Sequence, residues 1–233
     1  MGHDASANFD GTPLLAPLKK GDRDLLVKKC RFRRFAAGEH IIDGQSESRD
    51  VFFVIEGTVR VVNYSMSGRE VALDDIQAGG FFGELAALDG GPRSAFVMAQ
   101  GGEAVTAAMP FDVFLDLLSK NPVLGLEIMK RLAGMVRQAT GRIMDLSTLG
   151  ANNRVHAELL RQAWASPNDG QKATITPIPV HGDIASRVST TRETVARVLN
   201  DLARSGIVER KKNSLLVHDM DRLAMLVEDV RGN

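Results

Sequence analysis

Apolar residues are spaced in distinct ways along this chain. From Cys30 to Met109 they come in short β-branched or aromatic runs broken by glycine. Val51–Ile55 and Thr58–Val62 are two such runs, with Glu56-Gly57 turning between them, and Ser65–Gly68 turns again into Glu70–Ile76. Short runs separated by turn residues predict strands, here a small sandwich or jelly-roll-like β-roll. Ahead of it, Pro13 to Lys29 has helical spacing, and residues 1–13 read as a polar, loosely held arm. Behind it, Pro110 marks a switch to helix. Phe111–Leu118 is one short helix, and Pro122 opens a second that reaches about Leu149.

In that second helix Leu124, Ile128, Leu132, Met135, Ala139, Arg142/Ile143, Leu146 and Leu149 recur at steps of three and four. So narrow a stripe over so long a helix predicts a coiled-coil seam joining two copies of the chain. The competing reading is an amphipathic helix lying on its own β-roll. Gly150–Asn153 then forms a hinge, with an asparagine placed to cap the next helix, Arg154–Ala165. Trp164–Gln171 is a loop of turn formers whose tryptophan is expected to pack, and Ala173–Pro179 is extended.

A second pattern follows from Val180. Asp183–Val188 reads as a short helix, and Ser189-Thr190 caps another running from Thr191 to about Arg204. Val195, Val198, Leu199 and Leu202 make its buried stripe, while Arg192, Glu193, Arg197 and Asn200 fall on the opposite side. Gly206 ends it. Val208–Lys212 and Ser214–Val217, turned at Asn213, resemble a winged hairpin. The class is therefore α+β: a β-roll sensor with a long helix, residues 1–149 (helix about 122–149), then a winged helix-turn-helix, residues 150–233.

Composition narrows the function. The chain has 233 residues, 44% hydrophobic and 25% charged, as in ordinary globular proteins. There is no apolar run near the ~20 residues that span a bilayer, and no signal-peptide pattern, so no membrane partner is expected. The single cysteine, Cys30, allows neither an intrachain disulfide nor a cysteine-rich metal site, which points to a reducing cytoplasm and no metal. Met1–Ser6 formally fits a myristoylation pattern, one loose enough to match by chance. Net charge is zero, but Val180–Lys212 holds seven basic and four acidic residues, a local +3 that suits DNA. No nucleophile–base pair or metal cluster appears, so no catalytic residue is assigned and an enzyme is not expected.

The chemistry concentrates in Gly80–Val97, GFFGELAALDGGPRSAFV. Gly83 lets backbone approach a ligand. Glu84-Leu85-Ala86 suits the first turn of a helix, whose free N–H groups attract an anion. Arg93 sits before an apolar run, Ala95-Phe96-Val97, a costly place for a charge unless a phosphate pairs with it. Glu84 can accept from a ribose hydroxyl. The plainer alternative is a Gly-rich turn with an arginine at its rim.

FGELAALDGGPRSA resembles the phosphate-binding cassette of cyclic-nucleotide-binding domains. Thr191–Arg197, TRETVAR, is similar to the recognition helix of the CRP/FNR family of bacterial transcription regulators. Together, in this order, they identify the chain as a member of that family. The resemblance implies cyclic-nucleotide contacts at Gly83, Glu84, Leu85, Arg93 and Ser94. It also implies a homodimer on palindromic DNA read through Thr190, Thr191, Arg192, Glu193, Arg197, Lys211 and Lys212. Where the cyclic AMP receptor places two adjacent hydroxyls on the base, this chain has Ala139 and Thr140. Thr140 is thus the remaining base contact, and cyclic GMP stands beside cyclic AMP as effector. The family also implies RNA polymerase as a partner of the Trp164–Gln171 loop. Oxygen-sensing relatives carry a cysteine cluster that one cysteine excludes, and His3 and His40 have no evident partner as haem ligands. A rival from another class is a nucleotide-gated regulatory protein acting through protein contacts.

Overall fold

In the computed structural model, residues 8–43, 46–66, 68 and 70–231 are described. The first seven residues of the expected arm, and Ser67 in the expected turn, lie outside them. The chain divides into two compact units, Met1–Ala133 and Gly134–Asn233.

The first unit opens with a single 3-10 turn at Pro13–Leu15 and the helix α1 (Lys20–Lys29), where one continuous helix is expected from sequence. Phe9 corrects the loose-arm reading: it is buried, with its ring 5.3 Å from Phe53 and 6.1 Å from Phe32. An aromatic side chain of that size anchors its segment by the apolar area it removes from water. Strands β1 (Arg31–Phe35), β2 (His40–Ile42), β3 (Val51–Glu56), β4 (Thr58–Tyr64), β5 (Glu70–Gln77) and β6 (Phe81–Phe82) lead to the short helix α2 (Glu84–Asp89). β7 (Phe96–Ala99) and β8 (Ala104–Met109) complete two four-stranded antiparallel sheets, ordered β1-β8-β3-β6 and β2-β7-β4-β5. This is the expected β-roll. Val54, Val59, Ile76, Phe82 and Val97 form a core cluster within it. Arg60, buried on β4, makes a two-pronged pair with Asp75 at 2.7 and 2.9 Å. α3 (Phe111–Lys120) packs Phe114 and Leu117 into a second cluster with Phe53 and Phe81.

The long helix is α4 (Pro122–Thr148). Its first turns correct the expected seam. Leu124 and Ile128 are buried, and Leu132 partly so, among the α3 and β-roll side chains. For this half, the reading of a helix lying on its own roll holds. Further along, Met135, Ile143 (63%) and Leu146 of the expected stripe are exposed, as are Val123, Leu126 (48%), Met129 (59%), Val136 (65%) and Met144. Among the exposed positions, Leu126, Met129, Ala133, Val136, Thr140 and Ile143 make a strict three-four alternation, the spacing of a coiled-coil seam in another phase. The helix is rich in apolar residues on two faces, and spacing alone does not say which face finds the roll.

In the second unit α5 (Ala151–Ala165) starts directly after Gly150, with no side-chain cap, so the asparagines expected as caps lie inside its first turn. Trp164 is exposed, not packed as expected. β9 (Ala173–Ile175) follows, then α6 (His181–Arg187), α7 (Arg192–Arg204), the hairpin β10 (Val208–Arg210) and β11 (Leu215–Val217), and α8 (Met220–Arg231). The sheet runs β10-β11-β9, a wing with one added strand. Val195, Val198 and Leu202 of α7 pack with Ile184, Leu159 and Leu223 in one core, with Leu199 at its margin.

Candidate functional site

The cassette is built around a left-handed glycine. Gly83 has φ +83° and caps α2, and a side chain there would place its Cβ 2.7 Å from Arg93 Nη1 and 3.1 Å from the Asp50 carbonyl oxygen. Only glycine accepts both that backbone and that approach. Arg93 reaches back across the turn: Nη1 donates to the Gly83 carbonyl at 2.9 Å and Nη2 to the Asp50 carbonyl at 2.8 Å. Its guanidinium lies 5.7 Å from the Phe52 ring centroid, and its Nε is buried without a hydrogen-bond partner. Burial pulls the Arg93 pKa below its ordinary value, opposed by the charges of Asp50 and Glu84. A positive group held half-buried by neutral carbonyls, its charge only distantly balanced, can gain from pairing with an anion.

Glu84 heads α2 and is 3% exposed. Its Oε1 lies 3.5 Å from Nε of Arg131 on α4. Arg131 also donates to the Phe81 carbonyl at 2.9 Å and stacks 4.4 Å over the Phe81 ring. Sequence reasoning missed this partner, because Arg131 stands 47 residues from Glu84 and reads as an ordinary solvated charge. Leu85 is partly buried in the first turn of α2. Ser94 is exposed, and its carbonyl accepts from Asn63 Nδ2 at 3.1 Å. The structure thus brings Gly83, Glu84, Leu85, Arg93 and Ser94 into one turn of the roll. Thr140 lies exposed on α4.

The helix-turn-helix differs from expectation in its turn. The cap is Thr191, whose Oγ1 accepts from the Thr194 amide at 3.2 Å, and α7 proper begins at Arg192. Ser189 takes φ +52° instead, the left-handed position of the turn. Thr190 is partly buried, its amide donating to the Ala185 carbonyl. Capping satisfies one of the first free amides of the helix, a local role that occupies the Thr191 hydroxyl. Arg192, Glu193, Arg197 and Asn200 share the exposed face, as expected. Arg192 lies against Gly182 of α6, where a Cβ would meet its Nε at 3.0 Å. Arg197 donates to Asn152 Oδ1 of α5 at 3.3 Å. Glu193 stays below the usual carboxylate range through its own backbone amide, then the Thr191 hydroxyl and Arg192. Lys211 and Lys212 lie just beyond β10, outside the strand expected to contain them, and Lys211 pairs with Glu209. Arg154 of α5 fastens the turn from behind, donating to Val188 at 2.8 Å, Ser189 at 3.2 Å and Leu149 at 2.8 Å, all through carbonyls.

A half-buried anion seat in a β-roll and a winged helix-turn-helix with an exposed basic face define a ligand-responsive DNA-binding regulator. Family models match both parts: a cyclic nucleotide-binding domain over residues 32–121 and a Crp-like helix-turn-helix domain over residues 153–226. The chain is 30% identical over 203 residues to the cAMP-activated global transcriptional regulator Vfr of Pseudomonas aeruginosa, covering 83% of this chain and 92% of that one. It is also 30% identical over 223 residues to the cyclic AMP receptor protein of Thermus thermophilus, covering 94% and 97%. A CooA mutant from Carboxydothermus hydrogenoformans shares the fold, with a TM-score of 0.80, 24% identity and coverage of 93% and 96%. The chain belongs to the CRP/FNR family of transcription regulators. Its relatives are regulators, not enzymes. Among the described residues no helix is long and apolar enough to cross a membrane.

Proposed function

We propose that this protein is a homodimeric, cytoplasmic regulator that takes up cyclic AMP and then binds near-palindromic DNA. The carrying observation is Arg93, half-buried and held by the Gly83 and Asp50 carbonyls beside buried Glu84. A cyclic phosphate offers Arg93 a full negative charge in place of two carbonyl dipoles. Glu84 accepts from the ribose 2′-hydroxyl, the amides of Glu84 and Leu85 face the phosphate, and Ser94 bonds phosphate or base. Thr140 meets the base. Cyclic AMP is favoured by the two relatives named for it. Cyclic GMP is the second ligand, since Ser94 can pair with a guanine amino group.

Two copies join through Leu126, Met129, Ala133, Val136, Thr140 and Ile143. Residues 1–149 act as the sensor and 150–233 as the reader. Each reader places Thr190, Thr191, Arg192, Glu193 and Arg197 in a major groove, with Lys211 and Lys212 on phosphates. The Trp164–Gln171 loop meets RNA polymerase. The nucleotide acts by binding the DNA-competent arrangement more tightly than the other, and the equilibrium shifts by that difference.

Calorimetric titration with cyclic AMP and cyclic GMP tests the ligand, and sedimentation of Val136→Glu tests the seam. Saturable binding of at least one nucleotide, and a monomeric Val136→Glu protein, are expected. No heat with either nucleotide overturns the sensor, and a dimeric Val136→Glu protein overturns the seam.

A further inference from the structure

The second unit contains a chain of charges that neither nucleotide nor DNA contact explains. Asp145, in the last turn of α4, is buried, and its Oδ2 accepts from Arg161 Nη2 of α5 at 2.6 Å. The other arm of Arg161, Nη1, pairs with Glu158, one turn earlier on α5 and also buried. Glu158 Oε1 accepts from Gln162 Nε2 at 2.9 Å and lies 4.0 Å from Nε of Arg187, the last residue of α6. Three helices thus contribute charges that alternate in sign: the end of α4, the middle of α5, and the first helix of the helix-turn-helix.

Stability alone does not account for such an arrangement. Buried ion pairs recover their desolvation cost only with good geometry, and apolar replacements are often as stable or more so. What they do supply is a defined arrangement, because removing one partner strands the other. A second tie spans the same elements independently. Arg154 binds the Leu149 carbonyl just past α4 with one nitrogen and the Val188 and Ser189 carbonyls after α6 with others. The end of α4 is therefore fastened to both the end of α6 and the turn that launches α7.

We propose that Asp145 is a positioning residue: through Arg161 and Glu158 it fixes Arg187, so the first helix of the reader follows the last turns of α4. Given the regulatory reading above, this is how a movement of the long helix reaches Arg192 and Arg197. The Asp145→Asn variant removes the charge and keeps the shape, and Asp145→Glu restores the charge.

Amide hydrogen exchange on the full-length protein tests this without nucleotide or DNA. In Asp145→Asn, protection across residues 181–188 should fall about tenfold while that of α8 changes less than about twofold. Asp145→Glu should recover most of it. Unchanged exchange in 181–188, or an equal loss throughout 134–233, overturns the proposal, the second outcome marking a purely structural pair. Should Asp145→Asn fail to fold, Glu158→Gln gives the same readout from the middle of the chain. A second arm compares DNA affinity with and without cyclic AMP: the enhancement seen in the natural protein should shrink in Asp145→Asn while calorimetric cyclic AMP affinity holds. An undiminished enhancement beside a loosened α6 also overturns the proposed coupling. If the natural protein responds to neither nucleotide, the regulatory reading fails while the exchange result still decides the role of Asp145.

Discussion

The cassette and the recognition helix, the two regions proposed to meet phosphate-bearing ligands, hold their arginines in opposite ways. Arg93 is half-buried and fixed by two backbone carbonyls, beneath a glycine whose replacement would collide with it. Arg192 and Arg197 are exposed, one resting on Gly182 and the other on Asn152 through a single 3.3 Å bond. A small anion must be caught in a shielded seat organised before it arrives, since its few atoms cannot offset much reorganisation. DNA instead brings a dense line of phosphates and a patterned groove, so the protein can leave its reading side chains in water until docking. Removing a cassette group should therefore act as a switch, and removing a reading group should act as a bias.

The largest effect should come from Arg93→Ala. Loss of a charge-assisted pair from a desolvated site is expected to weaken nucleotide binding by about 2–5 kcal/mol, with the fold intact by circular dichroism. Near-normal calorimetric affinity would erase the contrast between the two regions. Arg192→Ala should lower discrimination at one base pair of each half-site by about 1–3 kcal/mol, leaving nucleotide affinity unchanged. Selection from random DNA checks this: uniform weakening for every sequence would make Arg192 a phosphate contact. Lys212→Ala, by contrast, should weaken all sequences alike and flatten the salt dependence.

Gly83→Ala should cost stability of about 1–2 kcal/mol from the left-handed backbone alone, and displace Arg93 as well. Thermal unfolding and titration together separate the two losses, and a Gly83→Ala variant with natural stability and affinity would remove the steric argument. Thr140→Ala is expected to reduce cyclic AMP affinity by about 1 kcal/mol, the value of one hydrogen bond. A change in dimer stability without a change in nucleotide preference would assign Thr140 to the seam alone.

The smallest effect concerns pH. Burial holds the His156 ring below its usual 6.5, with Asp201 acting against it, and its Nδ1 is buried without a partner. The folded ring then binds its proton less readily than the unfolded one. Its contribution is complete above pH 6.5 and fades as pH falls below that value. Denaturant titrations from pH 7 to pH 5 should show a loss of stability that His156→Gln flattens. An unaltered pH profile would assign the loss to other groups.

Much of this was legible in sequence where the signal is local. The cassette and the helix-turn-helix are short segments whose glycines, charges and apolar steps carry their own geometry, so both were found close to their observed limits. What escaped depends on distance along the chain or on phase. Arg131 meets Glu84 only because α4 crosses the roll, and Asp145 meets Arg161 only because α5 turns back. The expected seam fails in its first turns because Leu124, Ile128 and Leu132 pack against the roll, while Met135, Ile143 and Leu146 of the same stripe stay exposed. The sequence pattern puts the cap at Ser189-Thr190, whereas a left-handed Ser189 passes that task to Thr191. Phe9 looked like one apolar residue in a polar arm, and its pocket between Phe32 and Phe53 exists only after the sheet forms.

The central claim is that nucleotide seated on Arg93 governs DNA reading by α7. Fluorescence anisotropy with a labelled palindrome, half-sites one helical turn of ~34 Å apart, tests it directly in the natural protein and in Arg93→Ala. The expected result is a rise in DNA affinity of at least about fivefold when cyclic AMP is added to the natural protein, the low end of ordinary coupling, and none in Arg93→Ala. Equal DNA affinity with and without nucleotide in the natural protein, or an undiminished response in Arg93→Ala, would contradict the account.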